Sequence, residues 1–139
     1  MAKIFSPFLP TGTALSFVKG VARSGNKIYI VNGVQTSWSE ARAICANGGG
    51  QLAVPRTYEE NQAIFFLRKQ VNQHTFMGIN DIQKEGDFRD LSGEAIKYFN
   101  WLPSEPNNVA GNENCVEMWE EGKWNDENCA RARLFVCEF

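Results

Sequence analysis

Side chains that could bind a metal ion through oxygen lie in two separated stretches of the second half of the chain. They are three carboxylates and two amides, namely Glu105, Asn107, Glu113, Asn125 and Asp126. Carboxylate and amide oxygens are the hard ligands that Ca²⁺ selects, and together they could fill most positions around one ion. The alternative is a solvated acidic loop of ordinary turn residues. The combination of Glu-Pro-Asn, a glutamate close before a cysteine, and Trp-Asn-Asp favours the metal site.

The elements that flank these stretches are expected to bring them together. Residues 115–119 and 123–125 have the pattern of strands, and the Glu-Glu-Gly between them is typical of a turn. This hairpin would return Asn125 beside the loop that carries the first stretch. Residues 80–114 contain several glycines and prolines and have no helical pattern. A loop of that length in a compact domain needs something to organise it.

The first half of the chain predicts two helices. Residues 37–40 (Ser-Trp-Ser-Glu) and 57–60 (Thr-Tyr-Glu-Glu) are capping boxes, which mark helix starts. The Asn-Gly-Gly-Gly run at 47–50 is expected to end the first helix. Strands are predicted at residues 27–32, 52–54, 76–79, 115–119, 123–125 and 134–139. This order of helices and strands indicates an α+β fold.

The size, charge and cysteine content of the chain limit its possible functions. A chain of 139 residues with 43% hydrophobic residues and a net charge of -2 is typical of one packed domain and lacks the basic surface of a nucleic-acid-binding protein. No apolar run reaches the ~18 residues of a membrane span. The four cysteines are Cys45, Cys115, Cys129 and Cys137. They favour two disulfides made in an oxidising compartment, with three pairings open and reduced buried cysteines as the alternative.

The first 26 residues are interpreted separately from the rest. We expect residues 1–26 to be the remnant of a neck or an added N-terminal segment, and residues 27–139 to be the functional domain. Leu15, Val18 and Ala22 have the spacing of a short helix, although Gly20 weakens that interpretation. Convincing coiled-coil heptads are absent from this segment.

Motifs between residues 27 and 139 resemble those of C-type lectin domains. Within that family the chain resembles the collectins, above all pulmonary surfactant protein A and the mannose-binding lectins, and surfactant protein D is similar too. The matching motifs are Ala-Val-Pro-Arg at 53–56, Glu-Glu-Asn at 59–61, Gly-Asp-Phe at 86–88, Asn-Trp at 100–101, Glu-Pro-Asn at 105–107, Cys-Val-Glu at 115–117, Trp-Asn-Asp at 124–126 and Val-Cys-Glu-Phe at 136–139. The resemblance implies a double-loop α+β fold with two helices and small antiparallel sheets. It also implies the disulfides Cys45–Cys137 and Cys115–Cys129.

The resemblance further implies which residues bind ligands. The principal calcium site of the family maps onto Glu105, Asn107, Glu113, Asn125 and Asp126, with a cis bond between Glu105 and Pro106. A second calcium site, found in some members, maps onto Asp81, Glu85, Asn108 and Asn114 together with Glu113. Two of these are amides where other members have acids, which lowers the ligand charge. Val109 and Glu127 flank the sugar site, where an apolar contact and repulsion of anionic glycans are expected.

The function implied by the resemblance is calcium-dependent binding of mannose-type glycans. Two neighbouring sugar hydroxyls bind the calcium ion, and each also bonds a carboxylate and an amide. The Glu-Pro-Asn order is that of members which bind equatorial 3- and 4-hydroxyls, whereas galactose-type members carry Gln and Asp at these positions. The resemblance also implies a secreted protein, for example of lung lining fluid. Such a protein would form homotrimers through a neck and recognise microbial sugars in innate immunity.

Two other classes of function are considered beside this one. A glycosidase that uses Glu105 with Asp126 or Glu113 would need a carboxylic acid of raised pKa in a desolvated pocket. These carboxylates suit a metal site better, so we expect no enzymatic activity. The other alternative is a module of the same fold that binds phospholipid or protein, which the sugar-binding motifs do not exclude.

Overall fold

The computed structural model describes residues 18–139. Residues 1–17, and with them Leu15 and most of the predicted neck, lie outside the described part. The described strands are β1 (Val18–Ser24), β2 (Lys27–Asn32), β3 (Gln51–Leu52), β4 (Thr75–Asn80), β5 (Cys115–Met118), β6 (Trp124–Glu127) and β7 (Leu134–Glu138). The described α-helices are α1 (Trp38–Asn47) and α2 (Tyr58–Val71). These elements confirm the predicted α+β class.

The strands form one sheet around the C-terminal strand. Their spatial order is β1-β2-β7-β4-β5-β6, and β3 also pairs with β7. Every pairing is antiparallel except that of β4 with β7, which is parallel. The predicted hairpin is therefore present as β5 and β6, and it lies at the edge of the sheet opposite β1.

Both helices begin where the capping boxes predict. The Ser37 hydroxyl accepts a bond from the Glu40 N–H at 3.4 Å, and the Thr57 hydroxyl accepts one from the Glu60 N–H at 3.1 Å. Each bond satisfies one of the N–H groups that a helix start leaves without an intrahelical partner. Helix α2 ends at Val71 and is capped by Asn72, which has the left-handed conformation that asparagine tolerates. None of the described helices is long and apolar enough to cross a membrane.

The helix predicted around Val18 and Ala22 is wrong, because Val18–Ser24 forms β1. This strand pairs with β2 from Val18 opposite Asn32 to Ser24 opposite Lys27. Its side chains alternate between half-buried and exposed, as a strand at the edge of a sheet requires. The local spacing that suggested a helix is overridden by pairing with a neighbouring strand. The division of the chain after residue 26 stays a prediction.

Two disulfides connect the elements around the buried core. Cys45 of α1 is bonded to Cys137 of β7, and Cys115 of β5 is bonded to Cys129 just after β6. Both predicted pairings are confirmed. The first bond joins residues 92 positions apart and the second closes the β5–β6 hairpin over 14 positions. In the chain-entropy model each such link stabilises the fold by about 3–5 kcal/mol.

The long loop after β4 is held by contacts with the sheet. The backbone of Asn80 is paired with that of Arg89, and the Leu102 N–H donates to the Trp124 carbonyl at 2.9 Å. The rings of Trp101 and Trp124 pack edge to face with centroids 5.5 Å apart. The loop is therefore fixed to β6 one residue before Asn125, so the segment that follows Leu102 is directed toward the end of that strand.

Candidate functional site

Asp126 holds the Glu-Pro-Asn segment against the sheet. Strand β6 places this side chain in a fully buried position, 0% exposed. Its two oxygens accept the backbone N–H of Asn107 at 3.1 Å and that of Asn108 at 2.8 Å. Bonds to an ionised acceptor are stronger than neutral ones. One strand residue thus fixes the backbone of the loop at the predicted site.

Glu105 lies beside Asp126, and both carboxylates accept the backbone N–H of Asn107. The Glu105–Pro106 peptide bond is cis, as predicted. The Glu105 carboxylate accepts the backbone N–H of Asn107 at 3.1 Å and the side-chain Nδ2 of Asn107 at 2.9 Å. Burial and then the adjacent Asp126 carboxyl raise the pKa of Glu105 to about 7. Two carboxyl groups in one place cannot both ionise easily unless a cation joins them.

Glu113 closes the other side of the loop. A short 3-10 helix at Val109–Gly111 turns the chain, after which the Glu113 N–H donates to Asn108 Oδ1 at 3.1 Å. The Glu113 carboxylate accepts the Val109 N–H at 3.0 Å. Burial raises the pKa of Glu113, and the charge of Asp126 adds to that shift, although the bond from Val109 opposes it.

Asn125 is positioned by the hairpin. It lies directly opposite Glu117 across the β5–β6 pair, and its Nδ2 donates to Glu117 Oε2 at 3.0 Å. Glu117 is fully buried and also accepts Trp119 Nε1 at 2.6 Å and Arg133 Nε at 2.8 Å. None of the described residues donates a hydrogen bond to Oδ1 of Asn125, so that oxygen is left for another partner.

Four of the five predicted ligands, all except Asn125, are joined by hydrogen bonds around residues 107–109, and Asn125 precedes Asp126 on β6. Their chemistry is that of hard-cation ligands. Three of them are carboxylates, and no ion pair among residues 18–139 includes Glu105, Glu113 or Asp126. In the same part of the chain, no three His, Cys, Asp or Glu side chains converge as a ready-made metal centre. Glu105 and Glu113 instead bond the backbone of their own loop.

Three of the residues predicted for a second calcium site, Asp81, Glu85 and Asn114, lie close together. Asp81 is buried, and one of its oxygens accepts a backbone N–H at 2.8 Å. When the Asn114 amide is oriented to satisfy its neighbours, its nitrogen donates to Asp81 at 3.1 Å and to Glu85 at 3.0 Å. Asn108 Oδ1 accepts the Glu113 N–H. In the opposite orientation of the Asn114 amide, its oxygen faces both carboxylates, as the ligand of a cation would, so the second calcium site stays a prediction.

The two residues predicted to flank the sugar site differ in accessibility. Val109 is 55% exposed and can contact a ligand. The Glu127 side chain is only 12% exposed and lies 3.2 Å from Arg133 and 3.8 Å from Arg131. These two cations compensate its charge, which weakens the basis for expecting Glu127 to repel anionic glycans.

Sequence reasoning gave no role to Glu117 and Arg133, although both lie behind Asn125. Glu117 stands in the Cys-Val-Glu motif, and Arg133 lies outside all the motifs that resemble the family. The signal that could have found Glu117 is the register of the hairpin, because a tight turn between the two strands places Glu117 opposite Asn125 on one face.

Comparison with known proteins gives the family. The model of the Lectin C-type domain matches residues 34–139. The chain is 44% identical to pulmonary surfactant-associated protein D of Bos taurus over 115 residues, which are 83% of this chain and 31% of that protein. It is also 44% identical to collectin-43 of Bos taurus over 118 residues, 83% of this chain and 37% of that protein. The chain thus spans about a third of the length of these curated relatives.

A solved structure supports the same assignment. The crystal structure of the cow C-type carbohydrate-recognition domain of CD23, determined in the presence of a GlcNAc2Man3 oligosaccharide, aligns with a TM-score of 0.75 at 33% identity. The alignment covers 86% of this chain and 92% of that domain. The predicted resemblance to collectins is confirmed. Surfactant protein D, which the motifs also resemble, and collectin-43 are among the relatives found, so the emphasis on surfactant protein A and the mannose-binding lectins was slightly off.

The raised pKa of Glu105 is also what a glycosidase acid would require. Its causes are burial and the neighbouring Asp126, and the matching family consists of carbohydrate-binding domains that are not enzymes. The family model covers most of the chain and the predicted fold and disulfides are present, so this protein belongs to the C-type lectin domain family.

Proposed function

We propose that this domain binds mannose-type glycans through a calcium ion held by Glu105, Asn107, Glu113, Asn125 and Asp126. The observation that carries the proposal is that three carboxylates, Glu105, Glu113 and Asp126, bond the backbone of residues 107–109, and none of them is part of a described ion pair. Bound there, the ion would supply positive charge and open coordination positions for two neighbouring sugar hydroxyls. A cation is also what two adjacent carboxyl groups need in order to ionise together.

The side chains of the site would orient the sugar by hydrogen bonds. Glu105 and Glu113 offer acceptors for hydroxyl protons, and charge-assisted bonds of this kind are the stronger ones. Asn107 and Asn125 offer N–H donors, because each amide nitrogen has two hydrogens and only one is engaged in the described bonds. The arrangement therefore suits a pair of hydroxyls that each donate one bond and accept one.

The mannose-type preference is supported by the order of acceptor and donor along the loop. Glu105 precedes Asn107, as in the family members that bind equatorial 3- and 4-hydroxyls. The similar CD23 domain was crystallised in the presence of a mannose-containing oligosaccharide. Val109 would add an apolar contact beside this pair. The screened charge of Glu127 leaves no strong discrimination against anionic glycans, so we base the preference on the two loop residues.

The biological setting follows from the relatives rather than from the site. By analogy with surfactant protein D and collectin-43, we propose a secreted protein of innate immunity, with lung lining fluid as one location. A single shallow sugar site binds weakly, so useful avidity would require several domains on one stalk, for example a homotrimer joined by a neck. Linkage of that kind can raise affinity by about 10² to 10⁴.

A glycan array measured with calcium and with EDTA tests the proposed function. We expect binding of mannose, glucose, N-acetylglucosamine and fucose structures in calcium, and none in EDTA. Calcium-independent binding, or binding restricted to galactose structures, would contradict the proposal. The alternative of phospholipid or protein as ligand is tested by competition, because a ligand at the same site should be displaced by free mannose.

A further inference from the structure

The orientation of the Asn125 side chain decides whether it can serve the proposed site. An asparagine presents a carbonyl oxygen on one side and an NH₂ group on the other, and only the oxygen can bind a cation. Asn125 is 7% exposed and has a neighbour that fixes this choice. Glu117 is directly opposite in the β5–β6 register, and its Oε2 lies 3.0 Å from Asn125 Nδ2.

We propose that Glu117 is a positioning residue that holds Asn125 Oδ1 toward the calcium ion. This inference rests on the proposed function and deepens it. An ionised carboxylate has only acceptors, so the Asn125 NH₂ group must face Glu117 and the carbonyl must face the opposite direction. The reverse orientation would place two oxygens against each other in a buried position, at the cost of an unsatisfied polar group.

Glu117 is itself fixed by groups on three other segments. It is 0% exposed and accepts Trp119 Nε1 at 2.6 Å and Arg133 Nε at 2.8 Å. His74 Nδ1 lies 3.8 Å away, with its ring stacked on Trp119. Arg133 supplies the positive charge that a buried carboxylate requires. The backbone of Arg133 is in turn paired with that of Thr36 by two bonds.

The second amide of the site lacks this support. Asn107 donates to Glu105, which belongs to the same exposed loop and is itself a proposed ligand. Asn125 is held by a buried residue that would not touch the ion or the sugar. Outer partners of metal ligands typically change metal affinity by about 10- to 100-fold when they are removed. We therefore expect Glu117 to contribute to calcium affinity without being a ligand.

The test is a double-mutant cycle on the calcium dissociation constant of the whole chain, measured by calorimetry. Glu117→Gln offers an NH₂ group that lets Asn125 turn, and should weaken calcium binding by about 10- to 100-fold. Asn125→Asp places a carboxylate against Glu117 and should also weaken it. In the double variant the NH₂ of the glutamine can donate to the new aspartate, so the loss should be much smaller than the product of the two.

Controls separate positioning from a general structural role. Trp119→Phe removes another donor to the same Glu117 oxygen but leaves the Asn125 bond, and should keep calcium affinity near that of the wild type. Glu117→Asp keeps the charge that faces Arg133 but is too short to reach Asn125, and serves if Glu117→Gln does not fold. Thermal midpoints in EDTA show whether each variant is folded. The inference would be overturned if the loss of calcium affinity in the double variant equalled the product of the two single losses. It would also be overturned if Glu117→Gln bound calcium as tightly as the wild type.

A second readout needs no calcium. In the NMR spectrum of the calcium-free wild type, one side-chain NH proton of Asn125 should have the downfield shift of a bond to a carboxylate. That shift should be absent in Glu117→Gln and present in Trp119→Phe. A wild-type chain that shows the shift but binds no calcium would refute the proposed function alone. An unshifted Asn125 proton in the wild type would refute the orientation inferred for it.

Discussion

Asp90 and Glu105 are carboxylates with opposite electrostatic surroundings. Asp90 lies in the long loop, and one of its oxygens accepts bonds from the Ser92 N–H, the Ser92 hydroxyl and the Glu94 N–H. Its other oxygen is 2.9 Å from Arg56 Nη2. Although burial raises the pKa of Asp90, these bonds outweigh it and hold the pKa at about 2. At Glu105 burial acts with a second carboxyl group, and the pKa is about 7.

The two sites differ in whether the protein itself places a cationic side chain beside the carboxylate. Asp90 has Arg56 and enough donors to be stable as a carboxylate, so the group is complete without a ligand. Glu105 and Asp126 have backbone and amide donors but no cationic partner in the described part of the chain. The cation proposed for this site would supply the positive charge that Glu105 and Asp126 lack.

The largest effect is expected from Asp126→Asn. The substitution removes one proposed ligand charge and one of the two oxygens that bond the backbone of Asn107 and Asn108. Calcium-dependent mannose binding should fall below detection in calorimetry, and amide hydrogen exchange at 107–109 should accelerate. Asp87→Asn is the matched control, since Asp87 pairs with Arg89 away from the site and should leave both properties unchanged. Retained binding in Asp126→Asn would remove the central residue of the proposed site.

Asp90→Asn should lower the free energy of unfolding and should not change the affinity of the proposed site for calcium. The lowered pKa of Asp90 means that its charged form stabilises the fold by about 2 kcal/mol, a contribution present above pH 3.8 and lost as the pH falls toward 2. The variant should lose about that much free energy of unfolding in urea at neutral pH in EDTA. Its calcium affinity should equal that of the wild type. A change in calcium affinity would show that the two carboxylate groups are coupled.

Elements that are determined by neighbouring residues were predicted from the sequence, and elements that depend on distant contacts were not. The two capping boxes gave both helix starts correctly, because their bonds join residues three positions apart. The strand at Val18–Ser24 was missed, since its formation depends on pairing with β2 and on the close approach of α2 at Gly20. An added Cβ at Gly20 would lie 2.9 Å from a methyl group of Leu67, a constraint that no local pattern encodes.

The residues of the candidate site also differ in whether the sequence alone identifies them. The five oxygen-bearing residues were recognisable by type and motif, and Asp126 and Glu113 bond the backbone of the loop that carries Asn107. The residues behind Asn125 were not recognised, because Glu117 bonds Asn125 across the β5–β6 pair and Arg133 in turn bonds Glu117 from another segment. Whether Glu127 is a free charge also depended on contacts with two arginines that sequence spacing does not reveal.

The combined substitution Glu105→Gln and Asn107→Asp should change which sugar is bound. It reverses the order of acceptor and donor along the loop while keeping five oxygen ligands for the ion. We expect the ratio of galactose to mannose affinity to rise about tenfold, corresponding to roughly one net hydrogen bond. Competition of both monosaccharides against immobilised mannan measures the ratio. The Asp90→Asn variant serves as the control with no shift. An unchanged ratio would show that these two residues do not set the preference.

The smallest effect, and the one that bears most directly on the contrast between Asp90 and Glu105, concerns pH. The raised pKa of Glu105 means that the calcium-free loop favours the protonated acid, so its stability should decline as the pH rises from about 4.5 to about 7. Calcium binding requires the carboxylate and releases that proton, so the increase in Tm caused by calcium should be larger near pH 8 than near pH 5.

Glu105→Gln removes the titrating group and should make the increase in Tm less dependent on pH. Asp90→Asn should leave the dependence intact, since Asp90 stays ionised throughout this range. An increase in Tm that is the same at both pH values in the wild type would mean that Glu105 and Asp126 do not compete for a proton in the calcium-free domain.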